Sequence, residues 1–131
     1  MLTRLITTIL AFTALAALTP VATLAAERTP FTQEALSAAQ QAGKSVLVNV
    51  HASWCPTCKA QKAAIEELGA KAEFKDIVVL EIDFDKQKDE WKALGAQARS
   101  TLIAFKGDKE TGRLVGDTKK ESIEALLKGA L

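Results

Sequence analysis

VLVNVHASWCPTCK, residues 46–59, is the stretch from which the fold of this chain can be read. It opens inside SVLVNV (45–50), a short β-branched run of the kind that forms a buried strand. His51, Ala52, Ser53 and Trp54 then lead to Cys55-Pro56-Thr57-Cys58. From Pro56 the pattern turns helical and is expected to continue to about Phe74. Cys58, Ile65 and Leu68 share one face, while Lys59, Lys62, Glu66 and Glu67 lie mostly elsewhere. The cysteines therefore stand where a strand becomes a helix. Cys55 falls near the N-cap and Cys58 within the first turn. Pro56 takes the first helical position, where its missing N–H has no helical partner to lose.

Upstream of this junction, TQEALSAAQQA (32–42) has helix formers throughout, with Gly43 at its stop. Downstream, IVVLEIDF (77–84) reads as a second strand, and residues 85–94 as a polar helix anchored by Trp91 and Leu94. TLIAFK (101–106) reads as a third strand. GDKETG (107–112) is expected as a hairpin loop before a short strand at 113–115, and residues 118–131 as a closing helix with Ile123, Leu126 and Leu127 inward. No internal repeat, low-complexity tract or linker follows residue 30. Strands joined by a long helical crossover should run parallel, and strands joined by a short glycine-bearing loop antiparallel. An α/β architecture follows, a mixed central sheet with helices on both faces.

With 131 residues there is room for one domain, and 48% hydrophobic with 25% charged residues is a globular balance. The 17 basic and 16 acidic residues leave a net charge of +1, which makes no electrostatic case for nucleic acid. Residues 1–26 read differently from the rest. Arg4 is followed by an uncharged run rich in Leu, Ala, Ile and Thr over 5–26, with Thr23-Leu24-Ala25 or Leu24-Ala25-Ala26 as a small-residue exit. A positive start, an apolar middle and a small-residue exit describe a secretory signal peptide. A run of about 20 apolar residues can also span a bilayer as an uncleaved anchor; Pro20 and the small residues favour cleavage. The domain is then 27–131, and the expected location is periplasmic or otherwise exported, membrane-anchored if the segment stays attached. Nothing in the sequence demands an oligomer, and a monomer is expected.

The chain has two cysteines. An exported chain with two usually makes one structural disulfide, whose benefit grows with the loop it closes. Cys55 and Cys58 close almost nothing, so this spacing serves chemistry. The helix N-terminus favours a thiolate at Cys55 through the dipole and the free N–H groups. Cys55 is the candidate nucleophile. Cys58, one turn along, is the candidate resolving thiol for a mixed disulfide, a chemistry that needs no bound cofactor.

The segment 46–59 resembles the active-site segment of the thioredoxin superfamily, and the element order resembles that fold over nearly all of 27–131. With Asn49 in the strand and Pro56-Thr57 between the cysteines, it is most similar to the periplasmic reductases of the cytochrome c maturation and TlpA-like branch. That resemblance implies a thioredoxin fold and a protein-disulfide reductant acting on disulfide-bearing proteins, with electrons supplied by a membrane thiol transporter. Trp54 matches the usual flank of the motif. The chain is shorter than typical members of that branch, and their central insertion is not found.

Three positions depart from the family pattern. Many members carry an Asp where this chain has Asn49, and the Lys that often faces it maps to about Val79. Losing both charges together is self-consistent, because either alone would be buried unpaired. Asn49 cannot take a proton, which leaves Glu81 or water to accept one from the resolving thiol, water being preferred. The family also places a cis-proline opposite the cysteines. Pro20, Pro30 and Pro56 cannot serve, and the matching segment is Arg99-Ser100-Thr101-Leu102. A non-proline cis bond costs about 2.5–4 kcal/mol, so the peptide before Ser100 is expected to be trans. The Ser100 hydroxyl and the Arg99 guanidinium would then bear on the thiolate or on the choice of partner. His51, where an aromatic often sits, reads either as a packing residue or as a proton donor or metal ligand. Trp91 reads as core.

A second functional class competes: a soft-metal module holding Cu(I) on Cys55 and Cys58, with His51 as a further donor. It requires an open face above the sulfurs where the proline is missing. Two thiolates alone make an incomplete zinc site.

Overall fold

The computed structural model describes residues 25–131. The signal-peptide reading of 1–26 falls almost wholly outside them. Among the described residues no helix is long and apolar enough to cross a membrane. The chain order is β1 Glu27–Pro30, α1 Gln33–Gln41, β2 Ser45–His51, α2 Pro56–Gly69, a 3₁₀ turn Ala72–Phe74, β3 Val78–Asp83, α3 Lys88–Ala93, β4 Thr101–Lys106, β5 Lys109–Val115 and α4 Lys120–Lys128.

The sheet order is β1-β3-β2-β4-β5. β2 pairs parallel with β3 and antiparallel with β4, which in turn pairs antiparallel with β5. β2 is thus central, and its sequence fits that place. Val46, Val48 and Val50 face one layer, with Leu36 of α1, Trp91 of α3 and Phe105 of β4. Leu47 faces the other, with Ile65 and Leu68 of α2 and Ile123 and Leu127 of α4. Both faces of β2 are covered, which is why the run is apolar without alternation. Asn49 lies on the α2 side of the strand and is buried.

Four elements differ from the sequence expectation. β1 was not expected: its four residues show no apolar alternation, and Pro30 is tolerated because the strand lies at the sheet edge against β3. The helix expected to run to Phe74 ends at Gly69, whose carbonyl accepts the Ala26 N–H at 3.0 Å. A Cβ on Gly69 would stand 3.1 Å from the Ala26 side chain, so glycine permits this close approach beside β1. Lys71 is extended, and the chain resumes as the 3₁₀ turn.

The helix expected over 85–94 shortens to α3 because Asp83 competes for its start. Asp83 Oδ1 accepts from the backbone N–H of Asp85 at 3.0 Å and of Lys86 at 3.2 Å, holding a turn where the helix would begin. The hairpin is tighter than expected. Only Gly107 and Asp108 separate β4 from β5, with Gly107 at φ +57°. The pairing jumps from Ala104↔Gly112 to Phe105↔Glu110, so Thr111 is the extra residue of a bulge.

Candidate active site

β2 delivers its C-terminal end to the start of α2, and four residues after His51 the chain reaches Cys55. The Cys55 N–H donates to the Ala52 carbonyl at 3.2 Å, which turns the backbone into the helix. Cys55 is the N-cap, at φ −93° and ψ 112°, and its Sγ accepts the backbone N–H of Cys58 at 3.2 Å. Pro56 occupies the first turn. Both thiols are free and nearly covered, at 4% exposure for Cys55 and 3% for Cys58. They open onto a cleft of about 320 Å³ lined also by Asn49, His51, Lys59, Lys62 and Glu81. Thr57 lies between them on the first turn, half-buried.

The opposite wall is the loop before β4. No cis peptide bond occurs among the described residues, and the peptide before Ser100 is trans. Ser100 instead takes a left-handed conformation at φ +62°, uncommon for a residue with a side chain. Its N–H donates to the Val50 carbonyl at 2.8 Å, and its carbonyl accepts from Gly116 N–H at 2.9 Å and Gln61 Nε2 at 3.1 Å. Held this way, its Oγ lies 3.3 Å from Cys55 Sγ and 3.1 Å from Cys58 Sγ. Thr101 closes the loop by donating from Oγ1 to the Ala98 carbonyl at 2.6 Å.

These contacts set the acidity of Cys55. Burial by itself raises a thiol pKa, but hydrogen bonds from the Cys58 side chain, the Ser100 hydroxyl, the Cys58 backbone N–H and Arg99 outweigh it. The Cys55 pKa falls from 9.0 to about 7. Outside the cleft, the Arg99 guanidinium lies 4.5 Å from the centre of the Trp54 ring. Trp54 Nε1 donates to Asp85 Oδ2 at 2.7 Å while the ring stays 56% exposed beside the sulfurs. Trp91, by contrast, is core: it stacks on Phe84 at 4.8 Å and its Nε1 donates to the Phe84 carbonyl.

One expectation needs correction. The β3 residue opposite Asn49 is Glu81, not Val79, which pairs with Leu47 and belongs to the apolar layer. Parallel register places the acid two residues further along the strand than the sequence match suggested. Glu81 is held by Arg28, which also donates to Glu66 at 2.8 Å. The Ser100 hydroxyl lies against both sulfurs on the side where the proline is missing, while the thiols still open onto the cleft. Among the described residues no three His, Cys, Asp or Glu side chains converge as metal ligands, and His51 forms no such set with the thiols.

Gln61 is the site residue that sequence reasoning missed. It is fully buried on α2, one turn beyond Cys58, and Nε2 also donates to the Asp117 carbonyl at 2.9 Å. A signal was present: a glutamine on the apolar face between Cys58 and Ile65 needs a polar partner.

The family described as Thioredoxin matches residues 23–129. A thioredoxin from Alicyclobacillus acidocaldarius subsp. acidocaldarius is 33% identical over 91 residues, covering 70% of this chain and 86% of that protein. A thioredoxin H-type from Brassica campestris is 31% identical over 93 residues, 71% of this chain and 74% of that protein. Among solved structures, Trxlp from Edwardsiella tarda EIB202 superposes with a TM-score of 0.75 at 33% identity, covering 77% of this chain and 98% of that one.

The mixed five-stranded sheet is a thioredoxin fold, and the dithiol at the start of α2 makes this a thiol–disulfide oxidoreductase. The chain belongs to the thioredoxin family. The matched relatives are named thioredoxins, so the resemblance stands at that level and not specifically at the TlpA-like branch.

Proposed function

We propose that this protein is an exported reductant of protein disulfides, with Cys55 as nucleophile and Cys58 as resolving thiol. The observation that carries the reading is Cys55 Sγ at the N-cap of α2, accepting the Cys58 N–H at 3.2 Å and ionising near pH 7. At neutral pH about half of such a thiol is thiolate, the attacking species. The Cys55 thiolate attacks a substrate disulfide, forms a mixed disulfide and releases one substrate thiolate. Cys58, deprotonated, then attacks Cys55 Sγ, releases the second substrate thiolate and leaves Cys55 and Cys58 oxidised. Two electrons pass to the substrate, and a dithiol donor must return them. A membrane thiol transporter is the donor expected for an envelope protein. Export is supported by the charge and small-residue pattern of residues 1–26, and Trp54 and Arg99 offer the substrate an exposed contact beside the thiols.

Insulin reduction by the wild type, Cys55→Ser and Cys58→Ser tests the chemistry. The wild type should reduce insulin, Cys55→Ser should be inactive, and Cys58→Ser should accumulate a covalent complex with its substrate. Activity surviving in Cys55→Ser would overturn the assignment. The reduction potential of the pair decides the direction of electron flow. Fractionation of cells expressing the full chain tests export, which fails if the protein is found uncut and cytoplasmic.

A further inference from the structure

Among the described residues, Ser100 is the group outside the cysteine pair within hydrogen-bond distance of Cys58 Sγ, at 3.1 Å, and it reaches Cys55 Sγ at 3.3 Å from the same oxygen. A hydroxyl carries one donor hydrogen and two acceptor lone pairs, and it can rotate. Between two sulfurs it can therefore donate to one and accept from the other, but cannot donate to both at once. The sulfur bearing the charge takes the donor, because hydrogen bonds to an ionised partner are the stronger ones.

We propose that the Ser100 hydroxyl is a catalytic hydrogen-bond donor with two stations, serving the Cys55 thiolate in the dithiol and the Cys58 thiolate in the mixed disulfide. The inference rests on the assignment of Cys55 as nucleophile and Cys58 as resolving thiol. In the dithiol, Cys58 S–H and Ser100 Oγ–H both donate to the Cys55 thiolate, so one sulfur is ionised and the other is kept protonated. Once Cys55 is bonded to a substrate sulfur it is neutral, and the hydroxyl turns to Cys58. Cys58 loses its proton to water in the cleft, and its thiolate attacks Cys55 Sγ. The Cys55–substrate S–S bond breaks as the Cys55–Cys58 bond forms, and the electron pair leaves on the substrate sulfur. The serine is unchanged at the end.

Two features of the site require such a device. Asn49 lines the same cleft as Cys58, and its amide cannot take up a proton as a carboxylate could. Ser100 is also held for this position, with its backbone N–H and carbonyl both engaged and φ at +62°, a conformation a glycine would adopt more readily. The charged and titratable groups around the pair are His51 from β2, Lys59 and Lys62 from α2, Glu81 from β3 and Arg99 beside the serine. Glu81 is occupied by Arg28.

The test separates the two stations. Thiolate absorbance is titrated for Cys55 in the reduced full chain, and for Cys58 in full chain whose Cys55 is capped as a neutral methyl thioether. Ser100→Gly removes the hydroxyl and suits the left-handed backbone, so it should fold; Ser100→Ala is the companion variant. Both variants should raise the pKa of Cys55 in the dithiol and of Cys58 in the capped protein, each lowering the thiolate fraction at neutral pH by about tenfold. The resolving step should slow by a similar factor, with its pH profile moved upward. A rise at Cys55 alone would reduce Ser100 to a one-station donor, and a rise at neither would remove it from the chemistry; both overturn the proposal. An insulin assay in which Cys55→Ser stays active would instead overturn the underlying assignment, so the two failures are distinguishable.

Discussion

Gln61 Nε2 donates to the Ser100 carbonyl at 3.1 Å, so the helix that carries both cysteines also holds the loop facing them. A second bond from the same nitrogen reaches Asp117, on the far side of β5. Nucleophile, resolving thiol and Ser100 are thereby set by one buried amide as well as by the sheet.

Replacing Gln61 tests this coupling. Gln61→Leu keeps the volume but leaves the Asp117 carbonyl unpaired and the Ser100 carbonyl with Gly116 alone, at a cost of about 1–3 kcal/mol. Gln61→Glu should be worse at neutral pH, because an ionised acid would face two carbonyl oxygens with no hydrogen to offer. Denaturant unfolding of the three proteins should rank them in that order. The leucine variant should also show a raised Cys55 pKa, and an unchanged one would mean Ser100 holds its place without Gln61.

Cys55 should alkylate with a pH midpoint near 7, well below an ordinary thiol. Its depressed pKa also links to stability. The unfolded thiol titrates near 9.0 and the folded one near 7. The reduced protein therefore carries the whole contribution above pH 9 and loses it as pH falls through 7. Arg99→Gln should move the alkylation midpoint upward, since the guanidinium is one of the groups holding the thiolate. Rates of iodoacetamide modification across pH measure both effects, and a midpoint near 9 in the wild type would contradict them.

Asn49→Asp would restore a carboxyl to the buried face of β2, in register with Glu81. Burial and the neighbouring acid both raise its folded pKa above the unfolded value of about 4. The variant should therefore match the wild type in acid and lose stability progressively as pH rises through the raised pKa. Unfolding curves at pH 4 and pH 7 should diverge between the two proteins; parallel curves would mean that the new carboxylate is compensated within the cleft.

Arg113 ties β5 to the end of α3. It donates to the Leu94 and Gly95 carbonyls at 3.0 and 3.2 Å and pairs with Glu110, whose carboxyl is held below its usual range chiefly by that hydrogen bond. The ion pair is partly exposed and water screens it, so Arg113→Ala should cost no more than about 1 kcal/mol globally. The loss should concentrate in faster amide exchange over α3. The Glu110 contribution is present at neutral pH and disappears as pH falls through its depressed pKa.

Residues 45–59 alone determined the central strand, the helix after it, and a thiol pair at their junction, because β-branched runs, proline at a helix start and cysteine spacing act over a few residues. The same short range explains the misreadings. β1 has no periodic signal of its own and exists because β3 offers an edge, while α2 stops where Gly69 meets Ala26. Only the tertiary structure put Ser100 between sulfurs 45 and 42 residues away, and Glu81 rather than Val79 beside Asn49. Those pairings depend on sheet order and register, which are fixed by packing across the whole molecule and leave no local pattern to read.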